Sequence, residues 1–158
     1  MIIRRFRNTD ATDTSSMIAD TIRTCNIKDY TPELMEECVN SLSPENIINR
    51  ASWMHFYVVE DDGSIIGCGG IGPYWGKDDE SSLFTIFVTP SRQGSGIGKK
   101  IMETLEQDEF FLRAKRIEIP SSITAVGFYK KLGYGHKPGF EVPDDERIYR
   151  LEKFRAID

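Results

Sequence analysis

Residues Leu83 to Leu105, LFTIFVTPSRQGSGIGKKIMETL, constrain the fold more than any other stretch of the chain. An apolar run, Leu83 to Val88, stops at Thr89-Pro90, and Pro90 suits a strand end because it lacks the N–H that a ladder needs. Beyond the turn, Ile97, Ile101, Met102 and Leu105 recur at helical spacing. The order is therefore strand, glycine-rich turn, helix. Gly94, Gly96 and Gly98 put three glycines in five residues, which lets a ligand approach the backbone without meeting Cβ atoms. The free N–H groups of a helix start, together with the helix dipole, then favour an anion in the turn, most obviously a phosphate.

Phosphate loops differ in where their fixed residues fall. A nucleotide P-loop requires Gly-x-x-x-x-Gly-Lys-[Ser/Thr], and here Gln93 replaces the first glycine and Lys100 the hydroxyl. A dinucleotide fingerprint requires Gly-x-Gly-x-x-Gly, and Lys99 takes the place of its third glycine. What fits in full is Gln-x-x-Gly-x-Gly, on Gln93, Gly96 and Gly98, with Gly94 as an additional glycine. After an apolar strand ending Val-x-Pro, this pattern resembles the coenzyme A loop of the GNAT superfamily of N-acetyltransferases. A second match follows about thirty residues on. The short strand Arg116-Ile117-Glu118-Ile119-Pro120 leads into SSITAVGFYKKLG, whose ending Phe128-Tyr129-Lys130-Lys131-Leu132-Gly133-Tyr134 resembles the family's second conserved block. The resemblance covers Leu83 to Tyr134 in detail and the rest of the chain in element order.

The resemblance implies an acetyl-CoA-dependent enzyme that moves an acetyl group to a primary amine by direct attack within a ternary complex. It implies that the N–H groups from Gln93 through Lys99, over Gly94, Ser95, Gly96, Ile97 and Gly98, hold the coenzyme pyrophosphate. Arg92, Lys99 and Lys100 either add charge there or form a solvated helix face. The pantetheine arm is expected along Phe87 and Val88, like a missing strand, with the N–H near Val88 polarising the thioester carbonyl. Tyr129 aligns with the tyrosine that gives a proton to the departing thiolate; the plain alternative is a packed aromatic beside Phe128 and Tyr134. Ser122 stands where the family often has an asparagine, which loosens the expected pantetheine contact. No carboxylate lies on Leu83 to Val88, so the general base stays open between Glu118, Glu80, His55 and a chain of waters, with the waters as the default. A non-catalytic acyl-CoA-binding or sensor module is the alternative of another class. Relatives are often dimers, but no stripe in this chain marks an interface.

At 158 residues the chain suits one domain, 1–158, large enough to bury roughly 70% of its unfolded surface. A net charge of −5 argues against a nucleic-acid partner. Acids at Glu33, Glu36, Glu141, Asp144 and Asp145 are placed to steer a cationic amine, or are simply solvated. Cys25, Cys38 and Cys68 are too widely spaced for a metal pattern or a disulfide framework, so no metal is expected. Cys68, in an apolar run, reads as a small core residue. The start MIIRRFRNTD carries no long apolar segment, so no membrane association and a cytoplasmic location are expected.

Taken in order, Ile2 to Phe6 reads as a strand and Asp10 to about Cys25 as a helix. Thr31-Pro32-Glu33 starts a second helix, to about Asn40, with a capping hydroxyl, proline at the first position and an acid near the positive end. Ser43-Pro44-Glu45 repeats that signal for a shorter helix. Trp53 to Glu60 and Ile65 to Ile71 form a hairpin around Asp61-Asp62-Gly63-Ser64. Gly72 to Glu80 is a loop. After the glycine turn come a helix from Ser95 to about Asp108, the Arg116 strand, the Tyr129 helix capped by Gly133, a strand Tyr134 to Lys137, and a last strand Arg147 to Phe154. The order β-α-α-β-β-β-α-β-α-β-β predicts an α/β (α+β mixed) layer domain with one central mixed sheet flanked by helices. It is also the element order of a GNAT-type single domain.

Overall fold

A computed structural model describes residues 1–145 and 147–156. Its elements run β1 (Ile2–Arg5), a 3-10 turn (Asn8–Asp10), α1 (Ala11–Cys25), α2 (Pro32–Ser41), α3 (Pro44–Ala51), β2 (His55–Asp61), β3 (Ser64–Pro73) and β4 (Glu80–Val88). A second 3-10 turn (Pro90–Arg92) precedes α4 (Ile97–Glu106), α5 (Glu109–Leu112), β5 (Arg116–Ser122), α6 (Val126–Lys131), β6 (Gly135–His136) and β7 (Ile148–Phe154). Among the described residues these strands form one seven-stranded sheet in the order β1-β2-β3-β4-β5-β7-β6. Every pairing is antiparallel except β4 with β5. This is the layer domain with one central mixed sheet flanked by helices that the sequence predicts.

The period-2 pattern of the strands divides the core between the two faces of the sheet. On β2, Phe56 and Val58 pack with Ile18, Ile22, Met35 and Ile47 of α1–α3. The alternate residues Tyr57 and Val59 face Ile101, Met102 and Leu105 of α4. On β3, the missing side chain of Gly69 lets α4 settle directly on the backbone. A Cβ there would stand 2.7 Å from Ile101 Cγ2.

Two helix starts are stated locally. Thr31 Oγ1 accepts from Leu34 N–H and Ser43 Oγ from Asn46 N–H, each with proline in the first turn. Other boundaries move. α1 begins at Ala11 because Asn8–Asp10 is spent on the 3-10 turn. α4 begins at Ile97 rather than Ser95, since Gly94 and Gly96 hold the left-handed region (φ 79° and 87°). β4 begins at Glu80, inside the expected loop, because Glu80, Ser81 and Ser82 find partners in Arg116, Ile117 and Glu118 of β5. No helix among the described residues is long and apolar enough to cross a membrane.

At the β1–α1 junction Asp10 accepts two hydrogen bonds from the Arg4 guanidinium (2.8 and 2.9 Å) and one from Arg7 N–H (2.8 Å). The Arg4 contact holds its carboxyl below the usual range. Glu80, bonded first by Lys77 and then by Arg116, is shifted the same way. A carboxyl depressed in the folded state stabilises fully above its unfolded pKa, and loses that contribution as pH falls through the folded value. The urea midpoint should therefore hold from pH 7 to about 5 and drop below about 4. Asp10→Asn should cost about 1.5–3 kcal/mol at pH 7, a difference that shrinks in acid. A midpoint difference that does not change with pH would remove Asp10 from this account.

Candidate active site

β4 and β5 pair only through Ser82 and Glu118, then part. From Leu83 to Val88 the β5-facing edge of β4 has no strand partner among the described residues, and a cavity of about 550 Å³ opens in the gap. β4 also carries a bulge. Its register with β3 slips between Cys68 and Gly70, so Thr85 and Ile86 together stand opposite Gly69. Thr85 takes φ 56°, unusual for a β-branched residue. Thr89 N–H donates to Ile66 C=O (2.9 Å), which fixes the alternation around it. Phe87, paired with Cys68, turns its backbone to β3. Val88 turns its N–H and C=O to the open side, where Gln93 Nε2 donates to the Val88 carbonyl (2.9 Å).

One end of the cavity is the glycine turn. The first bond of α4 is Lys100 N–H to Gly96 C=O (3.1 Å). Among the described residues no acceptor meets the N–H groups from Gly94 through Lys99. Six successive donors at the positive end of a ten-residue helix make a ready anion site. Phe87, Val88, Gln93, Gly94, Gly96, Gly98, Lys99, Ser122 and Tyr129 all line the cavity. Ser95 and Ile97 do not. Ser95 Oγ bonds back to Arg92 C=O, and the Ile97 side chain is 3% exposed in the core beneath α4. Arg92 lines the cavity but is held by Asp61 (2.9 Å).

Tyr129 stands on α6 with its ring against Phe128 and Tyr134. Its hydroxyl has no hydrogen-bond partner among the described residues. Burial first, and the neighbouring Cys68 thiol second, push its pKa well above the ordinary tyrosine value, so it keeps its proton. Ser122 Oγ accepts from Ala125 N–H (3.2 Å) at the start of α6, and its own O–H remains to donate. Tyr30 crosses from the α1–α2 loop, accepting from Ile123 N–H (3.0 Å) and donating to Arg147 C=O (2.8 Å). Cys68 is fully buried and donates to Thr85 C=O (3.2 Å). Burial holds its thiol protonated far above the usual range, which fits the core role read from sequence and not a nucleophile.

The carboxylate and imidazole candidates lie elsewhere. His55 Nδ1 meets Asp108 (2.8 Å), which also accepts from Tyr57 O–H (2.6 Å) and caps α5. Glu80 and Glu118 both bond Arg116, and Glu118 faces a separate hollow with Tyr74, Lys137 and Arg150. No Asp, Glu or His lines the main cavity among the described residues. Of the acids expected to steer a cation, Glu36 is paired with Arg23, and none of the five lines the cavity. Sequence reasoning missed two features here, the Thr85 bulge and Arg50, whose Nη1 reaches Thr85 Oγ1 (3.5 Å). Neither carries a local signal, since no glycine or proline marks the bulge and Arg50 is one more basic residue in a last helical turn.

The family described as the Acetyltransferase (GNAT) family matches residues 17–134. An amino-acid acetyltransferase of Ralstonia nicotianae is 30% identical over 100 residues, covering 63% of this chain and 22% of that protein. The uncharacterized N-acetyltransferase YjgM of Escherichia coli is 28% identical over 85 residues, 51% of each chain. The chain thus spans about half or less of the length of these curated relatives. Among solved structures, the PaiA N-acetyltransferase of Thermoplasma acidophilum in complex with coenzyme A superposes with a TM-score of 0.81 at 17% identity, over 98% of both chains. That likeness carries the fold.

Proposed function

The chain belongs to the acetyltransferase (GNAT) family, and from that premise we propose that it transfers an acetyl group from acetyl-CoA to a primary amine, with both substrates held together in one ternary complex. The observation that carries this reading is the parting of β4 from β5 over a cavity that ends in six N–H groups with no acceptor among the described residues. Of the expected run from Gln93 through Lys99, the Gln93 N–H is taken by Pro90 C=O (3.4 Å), and the Gly94–Lys99 N–H groups would hold the pyrophosphate, with Lys99 adding charge. The free edge of β4 would align the pantetheine arm, and Ser122 O–H is free to bond one of its amides. Val88 N–H faces the opening, where it can stabilise charge developing on the thioester oxygen. As the amine nitrogen bonds to the carbonyl carbon and the C–S bond breaks, Tyr129 gives its proton to the leaving sulfur and recovers one from solvent. The amine loses its own proton to water, because among the described residues no carboxylate or imidazole lines the cavity to take it.

That lack of a base favours one rival, a module that binds acyl-CoA without turning it over. Thermal melts with acetyl-CoA, CoA, NAD and ATP, paired with thiol release over an amine panel, separate the two. A ligand at about a hundred times its Kd adds roughly 2.7 kcal/mol of stability, which moves the midpoint by several degrees. We expect shifts with acetyl-CoA and CoA alone, and thiol release with some amines. Shifts without release across the panel would favour the sensor; no shift with CoA would end both readings.

A further inference from the structure

α4 and its N–H run lie on one face of the sheet, and α1–α3 cover the other. A coenzyme entering over the glycine turn leaves the α1–α3 side for the amine. Arg50 stands there, half-buried on the last turn of α3. Its contact with Thr85 Oγ1, at 3.5 Å, is long, and among the described residues no carboxylate pairs with it. Thr85 is the bulge residue and lines the cavity, as does Cys38, whose thiol lies close enough to Arg50 to affect its charge. Burial, the largest influence, pulls the Arg50 pKa down. A guanidinium presents five N–H donors in a planar fork, and among the described residues one long contact leaves most of those of Arg50 unused. A partly desolvated cation in that condition is costly until an anion completes it. Arg50 borders that cavity through Thr85 rather than lining it, and among the described residues no carboxylate lines it to balance a second positive charge on an acceptor.

We propose that Arg50 binds the carboxylate of the acceptor, and that the acceptor is a free α-amino acid. In such a molecule the carboxylate sits one carbon from the amine. A guanidinium beside Thr85 can hold it by a two-bonded fork while the amine faces the open edge that continues to Val88. This rests on the acetyltransferase reading. It assigns a specificity role to Arg50, and the acceptor is an anion-bearing amine rather than a polyamine.

The test is thiol release from acetyl-CoA with each primary α-amino acid, run against the same compound as its carboxamide. For the side chains accepted, the acid should be favoured by about 10- to 100-fold in kcat/KM, the range of a charge-assisted hydrogen bond. Arg50→Gln should bring that ratio near one, mainly through KM, and should keep the CoA-induced melting shift, which shows that it folds. Arg50→Lys, which keeps charge and loses the fork, should fall between and serves if Arg50→Gln does not fold. Equal use of acids and carboxamides would overturn the proposal, as would a ratio that survives both substitutions. CoA-induced stabilisation with turnover confined to amines lacking a carboxylate would overturn it and leave the acetyltransferase standing. Loss of all turnover on every amine would remove both.

Discussion

Tyr129→Phe is expected to lower kcat by about 100-fold or more, the usual scale for a positioned general acid, while the melting shift with CoA stays as in the wild type. Two features of the site make this sharp. The hydroxyl has no protein partner among the described residues, so its removal breaks no internal bond, and the variant should be as stable as the wild type or slightly more so. Burial also holds the proton on the oxygen. The wild-type rate should therefore show no descending limb as pH rises through the ordinary tyrosine range near ~10. A rate unchanged in Tyr129→Phe would give the proton a different source and reduce Tyr129 to a packed ring. A loss of stability together with activity would mean that the hydroxyl is structural.

Arg116→Met should cost about 3–5 kcal/mol, the scale for removing one partner from a buried ion cluster. Arg116 bonds Glu152 (2.9 Å), Glu80 (3.1 Å) and Glu118, with 11% of its own side chain exposed and 3% of that of Glu118. Lys137 adds a contact to Glu118 at 3.0 Å. Without the arginine, three carboxylates remain with two close ammoniums, Lys137 on Glu118 and Lys77 on Glu80 (2.7 Å). The cluster sits where β4 and β5 are still joined, on Glu80↔Arg116 and Ser82↔Glu118. It closes the point from which the cleft opens, so coenzyme affinity should fall along with stability. Denaturant melts at pH 7 and pH 5 check this. The deficit should narrow as the orphaned carboxyls take up protons, and a deficit under about 1 kcal/mol would place the cluster with ordinary surface pairs.

What could be read from the chain followed from how local each signal is. Thr31-Pro32 and Ser43-Pro44 carry their own instructions, because a cap and a proline act within one helical turn. The glycine turn was legible because only glycine readily takes the left-handed angles found at Gly94 and Gly96. Cys68 was legible from its apolar neighbours. The start of β4 was not, because Glu80 becomes a strand residue only by meeting Arg116, far along the chain. The bulge at Thr85 was hidden for a similar reason, being a slip between two strands rather than a property of threonine. Glu118 looked like a candidate base because its strand borders the cleft. Its side chain faces the other hollow, and a strand's face cannot be assigned until its neighbours are known.

The sheet order also bears on how the protein is made. β7 lies between β5 and β6, although it is the last strand in the chain among the described residues. During synthesis the meander β1-β2-β3-β4 has sequential partners and can pair as it emerges from the ribosome. β5 cannot complete its pairing, nor β6 acquire a partner, until residues 148–154 have left the tunnel. A nascent chain stalled before Ile148 would display the bare edge of β5, the kind of edge that invites pairing with another chain. The cleft, walled by that same strand, would then be finished only once residues 148–154 have emerged.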